Sequence, residues 1–323
     1  MIRRFFLITA ITGLMALAFA SSLQAANCGG DVPCSCGDNL VASRTLVSGV
    51  DPIVASTCTG DGLIMNTDEV VLDLNGNKLR GSGSGVGVLI GNGVNDVTIK
   101  KGRVDGFETG IGTGTEIDTA GTTNGSTIDG IRPNLNTGHG ILLKGDNNDL
   151  TGILAKRSGI NGVTVIGDNN LFQDHNDEYN RFHGLFVQGD FNQVLDNRAS
   201  ENAKSRTSGD GIHVEGNHNL IQGSDVTKLN INGIVVIGDN NALDANSVTR
   251  QKGDGIQGGD GIIVDGDNNV LTDNLATANR GVGISVVSGG DPTASTGNRV
   301  SLNRKQPQCS IYGEIDPPTC IQE

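Results

Sequence analysis

The sequence predicts a right-handed parallel β-helix of roughly 10–11 coils, each of about 22 residues. Three observations predict it: a repeat close to 22 residues, apolar residues that alternate with period two inside each repeat, and an asparagine at a fixed place in each repeat. Composition agrees, because 49 glycines, no tryptophan and 3% aromatic residues leave mainly small apolar side chains for a core. Such a chain can fold by burying them in many thin, repeated layers.

The repeat is clearest in the second half of the chain. Seven segments, such as GILLKGDNNDL and GIVVIGDNNAL, begin with Gly140, Gly162, Gly184, Gly211, Gly233, Gly261 and Gly283. Alternating β-branched residues after each glycine predict a short strand with one buried face. A polar turn, a second strand and a short third strand complete the coil. A solenoid of helical hairpins is excluded, because its units need about 33 residues or more.

An asparagine follows the polar turn of each repeat. Stacked strands lie about 4.8 Å apart, so we expect amide hydrogen bonds from coil to coil along this column. The predicted ladder consists of Asn148, Asn170, Asn192, Asn219, Asn241, Asn269 and Asn298.

Four regions are predicted along the chain. Residues 1–26 have the features of a secretory signal peptide, since Arg3 and Arg4 precede an apolar run. That run is short for a membrane span of about 20 residues, so a secreted or periplasmic protein without a membrane anchor is expected. The mature chain is predicted to contain an N-terminal cap (27–60), the parallel β-helix (61–303) and a C-terminal tail (304–323).

The six cysteines lie near the two ends of the mature chain. In an exported protein an even set of this kind predicts disulfides. Metal ligation is disfavoured, because no CxxC faces a second one at zinc-like spacing. Many pairings are open, and proximity in the sequence favours Cys36–Cys58, Cys28–Cys34 and Cys309–Cys320.

The chain is acidic, with a formal net charge of −13. Nucleic acids and anionic membrane surfaces are bound through lysine and arginine, so neither is an expected partner. The sequence carries no signal for an oligomeric state.

The motifs CGDNL at 36–40, VLDLNGN at 71–77 and VTIKKG at 97–102 indicate a family. They resemble the N-terminal coils of bacterial right-handed parallel β-helix repeat proteins of the pectin-lyase-like superfamily. The resemblance covers nearly the whole mature chain and implies the fold. It does not imply one function, because the superfamily includes lyases, hydrolases, epimerases and proteins without known chemistry.

Two insertions lengthen the repeat just before Gly211 and Gly261. Both leave the same corner of the predicted rod, and loops on a rigid scaffold are common binding sites. The catalytic candidates there are Asp210, Asp260, Asp254 and His213, and the binding candidates are Glu215, Phe186, His183, Arg206 and Lys252. A rival location is the segment 172–191, which holds most of the mature aromatic residues.

Two classes of function remain open, and the sequence favours a secreted, non-catalytic scaffold that binds a polysaccharide or another cell-surface polymer. The reason is that the predicted outward positions of the first strand carry no cluster of acids; they are Leu142, Thr164, Phe186, His213, Val235, Ile263 and Ser285. The alternative is a polysaccharide-active enzyme, a lyase, glycoside hydrolase or epimerase, with the three aspartates as acids and bases. A third reading is a periplasmic copper-binding protein with His139, His183 and His213 as ligands.

No cofactor and no metal site are expected in the favoured interpretation, but the Gly-Asp turns make calcium a possible ligand. Like charges in the Gly-Asp turns would repel each other, and a cation would relieve them. An aspartate in a tight turn more often accepts its own backbone N–H groups, which favours a structural role. The column contains Asp146, Asp168, Asp190, Asp239 and Asp267.

Overall fold

The structure, a computed structural model, describes residues 25–204, 209–253, 258–287, 294–305, 308–311, 314–315 and 320–322. The predicted signal peptide therefore lies almost wholly outside the described residues, as do the site candidates Arg206 and Asp254. Within these ranges the chain forms a β-solenoid of about 11 turns, which confirms the predicted parallel β-helix. The described ranges contain no helix long and apolar enough to cross a membrane.

Three sheets run along the rod, and successive strands of a sheet come from successive coils. The first sheet contains Asn27–Cys28, Asp38–Leu40, Leu63–Met65, Val86–Ile90, Thr109–Gly112, Ile141–Lys144, Val163–Ile166, Leu185–Gln188, Ile212–Glu215, Ile234–Ile237, Ile262–Asp265, Ile284–Val286, Cys309–Ile311 and Glu314–Ile315. The second contains Arg44–Thr45, Val71–Asp73, Lys78–Arg80, Thr98–Asp105, Thr127–Asn134, Asp149–Thr151, Leu171–Gln173, Gln193–Leu195, Leu220–Gln222, Ala242–Asp244, Val270–Thr272 and Ala294–Thr296. The third contains Asn176–Glu178, Arg198–Ser200, Asp225–Thr227, Ser247–Thr249, Leu275–Thr277, Asn298–Ser301 and Cys320–Gln322.

The described strands pair in parallel, except that Glu314–Ile315 runs antiparallel to Cys309–Ile311 at the end of the first sheet. The N-terminal region adds one short helix, Pro52–Ala55.

The core consists of stacked β-branched and leucine side chains. Val214, Val236 and Val264 are neighbours in register on three coils, and all three are fully buried. β-Branched side chains suit this stacking, because they pack well on a pleated surface. The glycine that opens each coil has no side chain, so the backbone there can lie directly against the core. At Gly233, a Cβ atom would lie only 2.1 Å from a methyl carbon of Val248.

Six of the seven predicted ladder residues form a continuous column from Asn148 to Asn269. The Oδ1 of each asparagine accepts the backbone N–H of its counterpart on the preceding coil, at 2.7 to 2.8 Å. Amide-to-amide bonds also occur, for example from Asn148 Nδ2 to Asn170 Oδ1 at 3.1 Å. These bonds satisfy buried backbone donors at the turn that separates the first two strands.

The placement of Asn298 in this ladder was wrong. Its Oδ1 accepts the N–H of Asn274 at 3.0 Å, so it belongs to a neighbouring column. The cause lies in the last coil, where Ser295 rather than an apolar residue pairs with Leu271 in the second sheet. The apolar residue that follows Asn298 at the usual spacing is Val300, but it lies in the third sheet.

A further amide column was not visible in the sequence pattern. Asn279 accepts the N–H of Gln251 at 3.0 Å, and Asn303 accepts the N–H of Asn279 at 2.9 Å. Other coils carry Ser158 or Leu229 at this place, which conceals the repeat. This column lies at the turn between the third strand and the first strand of the next coil.

The three predicted disulfides, Cys28–Cys34, Cys36–Cys58 and Cys309–Cys320, are confirmed. The first two lie in the region 27–60, where strand Asn27–Cys28 already pairs with Asp38–Leu40 in the first sheet. The third joins two tail strands that pair with the last coil in the first and third sheets. Both ends of the rod are therefore covalently fastened.

Candidate functional site

The candidate site lies where the turn after the third strand enters the first sheet. We call the group formed by His183, Phe186, Asp210, His213 and Glu215 the His213 cluster. Phe186 and His213 occupy the same outward position on adjacent strands. His183 and Asp210 each precede the glycine that opens a coil. Four of the nine predicted site residues thus come from two columns, the outward position of the first strand and the position before the glycine. Glu215 lies at the end of the same strand as His213.

The imidazole of His213 is held by two carboxylates. Its Nδ1 lies 2.8 Å from Asp210 Oδ2, and its Nε2 lies 3.3 Å from Glu215 Oε1. Asp210 is buried, whereas the Glu215 side chain is 36% exposed. Burial lowers the pKa of His213, but the hydrogen bond and charge of Asp210 and the charge of Glu215 outweigh it, so the pKa is above its ordinary value.

His183 is the second imidazole of the cluster and has the opposite character. Its Nδ1 accepts the backbone N–H of Asp210 at 3.0 Å, which places its proton on Nε2. Burial lowers the pKa of His183 to about 4, and the charge of Asp210 only partly offsets this. One histidine of the pair is therefore neutral at neutral pH, while the other readily carries a proton.

Phe186 gives the cluster an apolar wall. Its ring stacks on that of His213 with centroids 5.5 Å apart, and His183 lies 4.8 Å from His213 edge to face. Gln188, on the same strand as Phe186, donates to Glu215 Oε2 at 3.1 Å and steadies that carboxylate. The site is thus a partly exposed ring flanked by an aromatic surface and an acid.

The outward face of the first sheet is less open than predicted, since Leu142, Thr164 and Val235 are buried. The side chains that precede each glycine help to cover it. Thr164 Oγ1 lies 3.0 Å from His139 Nδ1 and accepts from Asn161 Nδ2 at 2.9 Å. Polar residues therefore line this edge on the coils before the cluster, and His139 is already engaged there.

Three groups of the cluster are arranged so that they could hold a metal ion. Ligand atoms of His183, Asp210 and His213 all lie within 4.8 Å of one another. Two imidazoles and one carboxylate suit a transition metal such as Zn²⁺ rather than calcium, which prefers oxygen ligands. Of the three histidines considered for copper, His139 instead contacts Thr164.

The remaining predicted site residues lie elsewhere. Asp260 Oδ1 accepts the N–H of Val282 at 2.6 Å on the next coil, which gives this carboxylate a structural contact. Lys252 lines a separate groove. In the rival segment, His175 and Asp177 are fully buried and cannot form a surface site.

The aspartate column accepts backbone N–H groups, but those of the next coil rather than those of its own turn, which the turn interpretation had expected. Asp146 Oδ1 accepts the N–H of Asp168 at 2.8 Å, and Asp168 Oδ1 accepts that of Asp190 at 2.7 Å. The same bonds continue through Asn217 to the later coils. One oxygen of Asp146, Asp168, Asp190 and Asp239 is therefore used to link neighbouring coils.

No protein-family model and no curated protein matches this sequence. Among solved structures, the chain is similar to the periplasmic alginate epimerase AlgG, with a TM-score of 0.54 and 14% identity over 94% of this chain and 78% of the epimerase. It is also similar to the enzymatically active domain of bacteriophage CBA120 tailspike protein 2, with a TM-score of 0.54 and 12% identity over 91% of this chain and 52% of that domain. The Dettilon tailspike protein matches with a TM-score of 0.51, 13% identity and coverages of 89% and 60%. At these identities the likeness shows a shared fold.

Proposed function

We propose that this protein is a polysaccharide-active enzyme in which His213 transfers a proton to or from the sugar. One observation carries the proposal: a partly exposed imidazole is fixed by the buried carboxylate of Asp210 and faces the exposed carboxylate of Glu215. A histidine oriented by a carboxylate is a common general acid or base. A ligand can reach Nε2 by displacing the exposed Glu215.

The two carboxylates have different roles in this proposal. Asp210 accepts the proton on Nδ1 and so keeps the reactive lone pair or proton on Nε2. Glu215 stabilises the protonated ring until the substrate arrives. Because the carboxylates raise the pKa of His213 above its ordinary value, the protonated ring is favoured, and His213 can act first as an acid and then as a base.

The sequence favoured a non-catalytic binding protein because no single column contains a cluster of acids. The geometry supports the alternative better, since Asp210 from the turn and Glu215 from the strand end meet at one ring. The fold is compatible with this function, because an alginate epimerase has it. Lyase, hydrolase and epimerase reactions all require proton transfer, so the cluster supports the class rather than one of its members.

The test is a panel of uronate and neutral polysaccharides, read for chain cleavage, for unsaturated products and for epimerised uronate. We expect the wild type to convert at least one substrate. His213→Asn should lower kcat by about 10²- to 10⁴-fold, the usual contribution of a general acid or base. The matched control is His218→Asn, since His218 is an exposed histidine on the same coil that stacks on Phe191 instead.

Asp210 is a positioning residue in this scheme, so Asp210→Asn should change the pH profile as well as the rate. Loss of its charge lowers the pKa of His213, and the limb of the profile that reports this histidine should move to lower pH. If no substrate is turned over, or if turnover survives His213→Asn, this proposal is wrong and the protein is better described as a non-catalytic binder.

The proximity of the two imidazoles and Asp210 supports a second candidate, a transition-metal site. Equilibrium dialysis against Zn²⁺ should then show one bound ion per chain. Removal of one ligand by His183→Ala should weaken binding by at least about tenfold, as loss of even supporting contacts to a metal does. Equal Zn²⁺ binding by wild type and His183→Ala would exclude this candidate, and turnover that persists in a chelator would separate the enzyme from the metal.

We further propose that the protein is secreted or periplasmic and that residues 1–26 are its signal peptide. Three disulfides fit an oxidising compartment outside the cytoplasm. A polysaccharide partner is consistent with that location.

A further inference from the structure

A basic groove lies on the same corner of the rod as the His213 cluster, nearer the C-terminal end. Its volume is about 240 Å³, and it is lined by Arg250, Gln251, Lys252, Ala278, Arg280 and Arg304. The four cationic side chains are all exposed. Their concentration in one groove is notable in a chain with 36 acidic and 23 basic residues.

Three of these cations form a ladder. Lys252, Arg280 and Arg304 each follow directly after a member of the buried amide column formed by Gln251, Asn279 and Asn303. The amide bonds fix these coils in register, so the cations stand on successive coils about 4.8 Å apart. The ladder therefore runs parallel to the axis of the rod.

Like charges on adjacent strands destabilise a sheet unless a counter-charge is present. Among the described residues, no carboxylate lies within 4.0 Å of any of the four cations, whereas cations elsewhere on the rod pair with carboxylates at 2.6 to 3.9 Å. At other places on the rod the cations are neutralised by carboxylates; for example, Lys78 Nζ lies 2.6 Å from Asp105 Oδ2. The groove thus concentrates positive charge that the described part of the chain leaves without a carboxylate partner.

Cations follow one another at this position only on the last coils. The equivalent residue is Arg181 on one earlier coil but Gly159, Ala203 or Asn230 on three others, so the turn itself does not require a cation there. Ala278 replaces the longer side chains found at its place on the neighbouring coils, Arg250 and Leu302, and so leaves room at the floor of the groove. Arg280 is braced, since its Nη1 donates to the carbonyl of Lys252 at 3.3 Å.

We propose that this groove binds the anionic groups of a linear polyanion that lies along the rod. Guanidinium groups pair with carboxylate, sulfate ester or phosphate oxygens through two parallel hydrogen bonds, and Lys252 adds a point charge. Asp210 and Lys252 lie on the same corner two coils apart, about 10 Å along the axis. A polymer held in the groove can therefore extend past His213. The alignment of the polymer with His213 rests on the proposed function, but the binding of anions by the groove does not.

The test measures binding without turnover, with dextran sulfate, polygalacturonate and neutral dextran of matched length at low ionic strength. We expect the wild type to bind at least one of the two polyanions and not the neutral dextran. Binding of dextran sulfate alone assigns a sulfate ester, and binding of polygalacturonate alone assigns a carboxylate. The double variant Arg280→Gln/Arg304→Gln should weaken binding by about tenfold or more, because two charge-assisted contacts are lost.

Two controls make the result decisive. Lys101→Gln removes an exposed cation far from the groove and should leave affinity unchanged, whereas an equal loss would mean that only net charge matters and would overturn the proposal. The second control is the readout itself, which is binding without turnover, so a failure of the proposed catalysis is distinguishable from a failure of this site. The proposal would be overturned if the wild type bound neither polyanion, or if the double variant bound a polyanion as tightly as the wild type does.

Discussion

Val236→Asp is expected to abolish folding or to lower the free energy of unfolding by several kcal/mol. Val236 is fully buried between Val214 and Val264 in the first sheet. An aspartate there has no polar partner, and the carboxylate either stays charged in an apolar stack or is neutralised at a cost. Because each coil contacts only its neighbours, the damage interrupts the stack rather than one local loop.

The matched control is the same substitution at an exposed position, Val270→Asp. Val270 is 42% exposed on the second sheet, beside Ala242. Surface changes of this kind usually alter stability by less than about 0.5 kcal/mol. Thermal and urea unfolding followed by circular dichroism checks both variants, and a Val236→Asp protein that melts like Val270→Asp would contradict the register of the first sheet.

The protein is expected to lose several kcal/mol of stability between about pH 6.5 and pH 4. Burial lowers the pKa values of His139, His175 and His183 to about 4. A histidine with a depressed pKa in the folded state is protonated first in the unfolded chain, so its contribution is present above pH 6.5 and is lost as the pH falls toward 4. Each such group costs at most about 1.4 kcal/mol per pH unit in that window.

Asp177 and His213 change the stability with pH in the opposite direction to these three histidines. Burial raises the pKa of Asp177, so this residue favours folding as the pH falls and cancels part of the loss due to the histidines. His213, whose pKa is raised, contributes stability below its ordinary pKa that is lost only as the pH rises through the folded value. The net acid loss is therefore smaller than that of the three histidines alone.

His175→Asn isolates one histidine of this set. His175 Nε2 lies 2.8 Å from the carbonyl of Leu150, and its column mates Asn197 and Asn246 make the same kind of bond to a carbonyl with Nδ2. Asparagine can therefore replace it without a titrating group. The stability of the variant relative to the wild type should rise by up to about 3 kcal/mol as the pH falls from 6.5 to 4. Parallel pH curves for the two proteins would refute this assignment.

The coil, its strands and most of its ladder were predictable because each coil repeats the same chemistry. Alternating apolar residues fixed the inward face at Ile212 and Val214, and a change of register would have moved both to the surface. The prediction failed where a coil departs from the repeat. Ser295 occupies an apolar place in the second sheet, so the pattern shifted Asn298 into the wrong column.

The site was only partly predictable. His213, Asp210 and His183 were selected from their columns, but the contact with Glu215 depends on how side chains bend over the strand end, which no periodicity records. Burial of Thr164 depends likewise on the side chains of Asn161 and His139. The basic groove left a readable signal, since a cation follows the buried amide on the last coils, but it appears only once that amide column is recognised.

The reversed strand Glu314–Ile315 bears on how such rods behave at high concentration. A stack of parallel strands can grow into a fibre if the last strand of one molecule accepts the first strand of another in the same direction. Here the first sheet begins with Asn27–Cys28 and ends with two residues that run the opposite way. Among the described residues, the second and third sheets still end in parallel strands, so the reversed strand opposes end-to-end growth into fibres at the first sheet alone.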